Sequence, residues 1–275
     1  KPYDQFAREL ITASGSCFRE PPVNFYRSTR DRSPAGLANI AVLAFLGSRF
    51  QDWGAQEQEE FRKLFSRVAF KKTSEWKEEI VFCNPAPVER ISVNMPDGTV
   101  LVVDPDKDPR EAFADWLTGP AKKWFGRAAV NRAWFWFFGR GIVHEADCLE
   151  PVHKGRAPDV AAAGAAGSVS GAKGGNQPAN PELLDWLADE FIRSGYDFKA
   201  LVKLIANSST YQQSCVPCGE LSQTEKYFAV YKSRRIDAEV VADALSYLAG
   251  TRPKYMSVIP EPFTYVPEEY PTIAL

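Results

Sequence analysis

The chain has 275 residues, 45% of them hydrophobic and 25% charged, with a formal net charge of −2. That is enough for one large packed domain or two small ones. Near-neutral charge gives no bulk attraction to nucleic acid, and no apolar run approaches the roughly 18 residues of a spanning helix. Neither a nucleic-acid partner nor a membrane span is therefore expected. The five cysteines are too few and too scattered for a disulfide scaffold.

The opening, KPYDQFARELI, has neither a start Met nor a signal-peptide pattern, and the chain reads as a piece of a longer protein. Tyr3, Phe6, Leu10 and Ile11 mark a short amphipathic helix, with an expected end near Ser14-Gly15. Ser33-Pro34 is an N-cap followed by proline at the first helical position. The segment it opens, GLANIAVLAFLG, is apolar nearly all round and predicts a buried helix. Phe61, Leu64, Phe65 and Val68 continue at helical spacing. The period then changes. EEIVFC, RISVNM and TVLVVD are β-like runs, with a turn at Pro96-Asp97-Gly98, which predicts a small β insertion over about 77–104.

Asp108-Pro109 restarts helix, with Ala112, Phe113, Trp116 and Leu117 facing inward. A helix from near Pro120 carries five consecutive aromatics, Trp134 to Phe138, before Gly139 and Gly141 stop it. Residues 155–178 are rich in Ala, Gly and Ser and predict a flexible surface insertion. Asn180-Pro181 opens a helix with a Leu183, Leu184, Leu187, Phe191 stripe that Gly195 closes. FKALVKLIANSSTYQ and RRIDAEVVADALSYLAG complete a helical second half, and five prolines in the tail favour an extended path. The expected fold class is mainly α, a helical bundle-like arrangement with a small β insertion, in three parts: 1–76, 77–106 and 107–275.

Four motifs bear on chemistry. Trp134, Phe137 and Phe138 share a helix face with Val130, which reads as core; Phe135 and Trp136 cover other faces. The alternative is an aromatic platform for a sugar or a flat cofactor, which requires solvent exposure. His144-Glu145-Ala146-Asp147-Cys148 resembles a zinc-protease helix with Cys in the last place. It follows Gly-Arg-Gly-Ile-Val, a loop or strand context, and on a strand residues four apart lie roughly 13 Å apart, too far to share a zinc. No metal site is expected. Cys215-Val-Pro-Cys218 has redox spacing, but Gly219 stands where haem attachment needs His. A local disulfide between Cys215 and Cys218, or two inert thiols, is the expectation, and no cofactor is expected. Arg235 with Glu239 is a helical i,i+4 ion pair, while Glu239 with Asp243 is a like-charge pair.

Taken in order, DPREAFADWL, VNRAWFWFFGRGIVHEAD, NPELLDWLADEF, SSTYQQS and RRIDAEVVADAL resemble one family. It is the paired domains of unknown function of secreted planctomycete and verrucomicrobial proteins, labelled planctomycete cytochrome C-associated. The resemblance covers nearly the whole chain, from the end of the first domain through most of the second. It implies export to the periplasm or cell surface and neighbours such as haem c domains and carbohydrate-active or sulfatase machinery, with no established reaction. The chain departs from the pattern in FLGSRFQDWGAQEQEEF, which lacks the Cys-x-x-Cys-His-like segment, and at Cys148-Leu149-Glu150, where members continue with Asp and Arg.

Match to the family motifs singles out Asn131, Arg132, Trp134, Arg140, Asp147, Asn180, Tyr211, Gln212, Arg235, Asp237 and Glu239. They form either a pocket or a lock between the two halves. The leading expectation is a binding or scaffold module serving an envelope polysaccharide or electron-transfer system, with polysaccharide or an envelope protein as partner. It requires an exposed aromatic patch. The alternative is a hydrolase, which requires Arg140, His144, Asp147 and Glu239 within reach of one another. A third class is a redox module using Cys215 and Cys218.

Overall fold

The computed structural model describes residues 1–85, 89–150, 177–216, 227–233 and 235–251. Most of the Ala/Gly-rich stretch, Cys218 and the proline-bearing tail lie outside them. The described chain is mainly α-helical, with two small antiparallel sheets. It divides into two compact units, Lys1–Tyr231 and Lys232–Leu275.

In the first unit, helix α1 (Tyr3–Ile11) buries Ala7 and Ile11. It stops at Thr12, earlier than the glycine signal suggests. Gly15 uses its positive φ of 127° for another purpose, entry into a two-residue strand β1 (Gly15–Ser16). A short helix α2 (Asn24–Arg27) brings Tyr26 into the core. Helix α3 (Pro34–Leu46) starts as its sequence dictates: the Ser33 side chain accepts from Gly36 N–H at 3.1 Å. It buries Leu37, Ala38, Ala41, Val42, Phe45 and Leu46, and ends on Gly47 in the left-handed region.

Helix α4 (Ala55–Arg62) tightens into a 3₁₀ turn at Lys63–Phe65, so Phe61, Leu64 and Phe65 all reach the core. Val68, next in the helical series, instead begins strand β2 (Val68–Lys72). This strand pairs antiparallel with β3 (Glu79–Cys83), Val68 opposite Cys83 and Lys72 opposite Glu79, while β1 takes the other edge of β3. The β structure is therefore not confined to 77–104. One position of a 3.6-residue period cannot be told from the start of a strand, and here a distant partner decides. Strands β4 (Ile91–Asn94) and β5 (Val100–Val103) form a separate hairpin, closed by the expected turn with Gly98 at φ 90°. Asp97 ties the turn to the helices by accepting from Trp116 Nε1 at 3.0 Å.

Helix α5 (Pro109–Thr118) begins on Asp108, whose carboxylate accepts from Arg110 N–H at 3.0 Å. Arg110 is fully buried, and it donates to Ala13 O at 2.7 Å and Ser14 Oγ at 2.8 Å and lies over the Tyr26 ring. Helix α6 (Lys122–Phe138) packs against α3, α5, α7 (Pro181–Arg193) and α8 (Phe198–Ala206). Its partner α7 runs antiparallel: Lys123 reaches Asp189 and Arg127 pairs with Asp185. Their close approach passes through Gly126, where an added Cβ would lie 3.2 Å from Ile192 Cδ1 and 3.4 Å from Ala188 O.

In the second unit, helix α9 (Ala238–Ala249) ends on Gly250 at φ 65° and buries none of its residues. Arg235 precedes this helix, so the helical i,i+4 spacing proposed for Arg235 and Glu239 does not hold. Glu239 and Asp243 do share it, one turn apart.

Candidate functional site

Asn131, Arg132, Trp134, Arg140 and Asp147 lie on the last turns of α6 or in the loop after it, with Tyr211 against Phe138, whereas Asn180 starts α7 and Arg235, Asp237 and Glu239 belong to the second unit. Gly139, at φ 69°, stops the helix, and residues 140–150 return as a non-helical loop of bends and turns. His144 and Cys148 therefore lack the helical turn that a shared zinc would need. Among the described residues no group of three or more His, Cys, Asp or Glu side chains could hold a metal ion.

Asn131 is fully buried, one turn before Phe135, and grips this loop from inside. Its Oδ1 accepts from Val143 N–H at 2.9 Å, and its Nδ2 donates to Val143 O and Ala146 O, each at 3.3 Å. The loop can come this close because Gly141 has no side chain. A Cβ there would sit 2.2 Å from Val143 O and 2.8 Å from Asn131 Oδ1. Arg132 joins the loop to α3: it donates to Ala44 O at 2.7 Å and Leu43 O at 3.0 Å and pairs with the Asp147 carboxylate. These carbonyls belong to the last turn of α3, where helix geometry leaves them without internal donors. Leu149 N–H donates to Gly47 O at 2.8 Å, and Arg49 pairs with Glu145 at 2.6 Å. Asn131, Arg132 and Asp147 thus fasten loop, α6 and α3 together.

Asp147 faces Arg132 rather than Arg140. Arg140 is half-buried and its Nε, enclosed by protein, has no hydrogen-bond partner. His144 is exposed. Trp134, 2% exposed, stacks on Phe138 at 4.3 Å and meets Phe228 edge-on, and Tyr211 meets Phe138 at 5.9 Å. Asn180 is a helix cap, its Oδ1 accepting from Leu183 N–H at 2.9 Å. Gln212 and Cys215 are exposed, and Cys218 lies outside the described residues. Arg235, Asp237 and Glu239 are exposed residues of the second unit.

The aromatic pentad is divided between core and solvent. Trp134 and Phe138 are buried, whereas Trp136 is 56% exposed. Trp136 meets Phe198 edge-on at 5.9 Å, Phe198 lies 6.1 Å from Tyr3, and Tyr3 lies 6.1 Å from Phe6, itself 45% exposed. A ribbon of four rings thus runs across α6, α8 and α1, wet at both ends. Burial pushes the Tyr3 hydroxyl pKa up, opposed by the nearby Arg132 guanidinium. Arg132 and Trp136 are four residues apart on α6 and so lie on one side of it, placing the ribbon beside the ion pair. No motif in the sequence pointed to Tyr3, Phe6 or Phe198 as part of this surface; what was legible was that Trp136 faces away from Trp134.

Fold and site together define a mainly α protein whose aromatic helix carries a fastened loop and, at Trp136, one exposed end of a row of rings. A family model, PSD1, Protein of unknown function (DUF1553), matches residues 109–153 and 166–268, more than half of the chain. The chain belongs to this family, as its motif order implies. No curated protein and no solved structure matches it. Among the described residues no helix is long and apolar enough to cross a membrane.

Proposed function

We propose that this chain is a non-catalytic binding module of an exported bacterial protein and that its ligand is an envelope polysaccharide. The observation that carries the reading is the ring ribbon from Trp136 through Phe198 and Tyr3 to Phe6. Indole and phenyl faces lie well against the apolar face of a pyranose, and the two exposed rings, Trp136 and Phe6, offer a sugar a place to rest at either end, with the half-buried Tyr3 and Phe198 between them. The support beneath is rigid: Trp136 stands on a helix buried along most of its length, and Tyr3 stacks on Phe125 at 5.2 Å. Preorganised rings lose little entropy on binding. Of the loop's polar groups, Asp147 is engaged by Arg132, and the loop backbone is held by Asn131 of α6. That speaks for a scaffold ahead of an acid–base pair. Export is what resemblance to secreted proteins implies.

A glycan array probed with the whole chain, followed by calorimetry on any hit, tests this. Trp136→Ala and Phe6→Ala each weaken binding by about tenfold or more while leaving the melting temperature within a few degrees. Binding to no glycan, or binding that both variants retain in full, would overturn it.

A further inference from the structure

We propose that the tip of the β2–β3 hairpin, a surface separate from the ring ribbon, is a docking site for an anionic lipid surface. The tip, residues 73–78, is tied by side-chain hydrogen bonds. Thr73 Oγ1 donates to Glu78 at 2.7 Å and accepts from Glu75 N–H at 3.1 Å, while the Ser16 hydroxyl donates to the other Glu78 oxygen. The Lys77 carbonyl accepts from Arg27 Nη2 at 3.3 Å, and Lys77 itself takes a φ of 61°, a region that side chains other than glycine enter at a cost. This turn holds Trp76 78% exposed, with the Lys77 ammonium 4.0 Å above its ring. Phe18, 61% exposed, stands on the adjoining turn, where its N–H donates to the same Ser16 hydroxyl at 3.2 Å. Two large apolar side chains thus stand in water on neighbouring turns that share the Ser16 hydroxyl.

Charge selects the occupant. Lys71, Lys72, Lys77 and Arg19 are exposed around the tip, and no ion pair among the described residues engages them. Against them stand the exposed Glu20 and Glu75. Glu78 keeps its charge while accepting from the Ser16 and Thr73 hydroxyls, and Glu79 is paired with both Arg27 and Arg32. With those two arginines the tip carries six cations to four carboxylates and stays net positive. Lysines on an edge strand deter strand pairing, which accounts for Lys71 and Lys72 but not for a tryptophan held outward beside them. Rings that settle at headgroup depth, with ammonium groups at phosphate height, are the chemistry of a peripheral contact with anionic lipid.

Co-sedimentation of the whole chain with phosphatidylcholine vesicles, and with vesicles containing phosphatidylglycerol, tests the proposal. Binding is expected to the anionic vesicles only, falling as salt rises. Trp76→Ala should reduce it about tenfold or more, and so should the double variant Lys71→Glu/Lys72→Glu. All these positions are exposed, so the melting temperature should stay with the parent and a folding defect would be seen separately. No binding, equal binding to neutral vesicles, or variants that bind as the parent does would each overturn it.

Discussion

Asn131→Ala removes the one side chain that satisfies Val143 N–H from within the core, together with a donor shared by Val143 O and Ala146 O. An unsatisfied buried amide costs about 1–3 kcal/mol, and the vacated volume at this fully buried position adds about 1 kcal/mol more. The expected loss is therefore about 3 kcal/mol. Asn131→Asp is the sharper test because shape is kept. The carboxylate still accepts from Val143 N–H, but its other oxygen faces two carbonyl oxygens in a buried place, costing about 3–5 kcal/mol at pH 7. Burial raises the folded-state pKa of the introduced carboxyl above its unfolded value of about 3.9. The penalty is therefore absent below about pH 4 and grows as pH rises through the folded-state pKa. All seven tryptophans lie in the first unit, so fluorescence-detected urea unfolding reports that unit alone. Asn131→Ala within about 0.5 kcal/mol of the parent, or Asn131→Asp with the parent's pH dependence, would refute the account of the loop clasp.

Further outcomes are expected elsewhere. Gly141→Ala drives a Cβ to within 2.2 Å of Val143 O and should destabilise by about 2 kcal/mol or more in the same unfolding assay. Trp134→Phe removes an indole N–H that is buried without a hydrogen-bond partner, so it should cost less than half of what Trp134→Ala costs, about 3–5 kcal/mol. Glu60 has its pKa lowered, chiefly by the Asn94 N–H and then by Lys63. It contributes stability above the ordinary carboxylate range that is lost as pH falls through its folded-state pKa, and Glu60→Gln should flatten the acid limb of a Tm–pH profile. Tyr26 has its pKa raised, chiefly by burial, with its hydroxyl donating to Ile11 O. Its contribution is complete below about pH 10 and falls away as pH rises past that value, so Tyr26→Phe should shallow the alkaline limb.

Much of the local architecture could be read from residues alone. Ser33-Pro34, Asp108-Pro109 and Asn180-Pro181 start helices where their caps require, and each capping side chain accepts from a backbone N–H in the first turn. Gly139 and Gly250 end helices at positive φ. These features depend on a few neighbouring residues, and so does the buried stripe of α7. Tertiary structure decided the rest. Val68 joins a strand because β3 offers it an edge, and Gly15–Ser16 takes the opposite edge from more than 60 residues away. Asp147 turns to Arg132 because the end of α3 fixes that guanidinium with two carbonyls. Five consecutive aromatics identify a helix but not its wet side. Trp136 became a surface residue, and Tyr3, Phe6 and Phe198 its neighbours, only when α1 and α8 closed around α6. Periodicity records which residues share a helix face, whereas exposure depends on which other helices arrive to cover it.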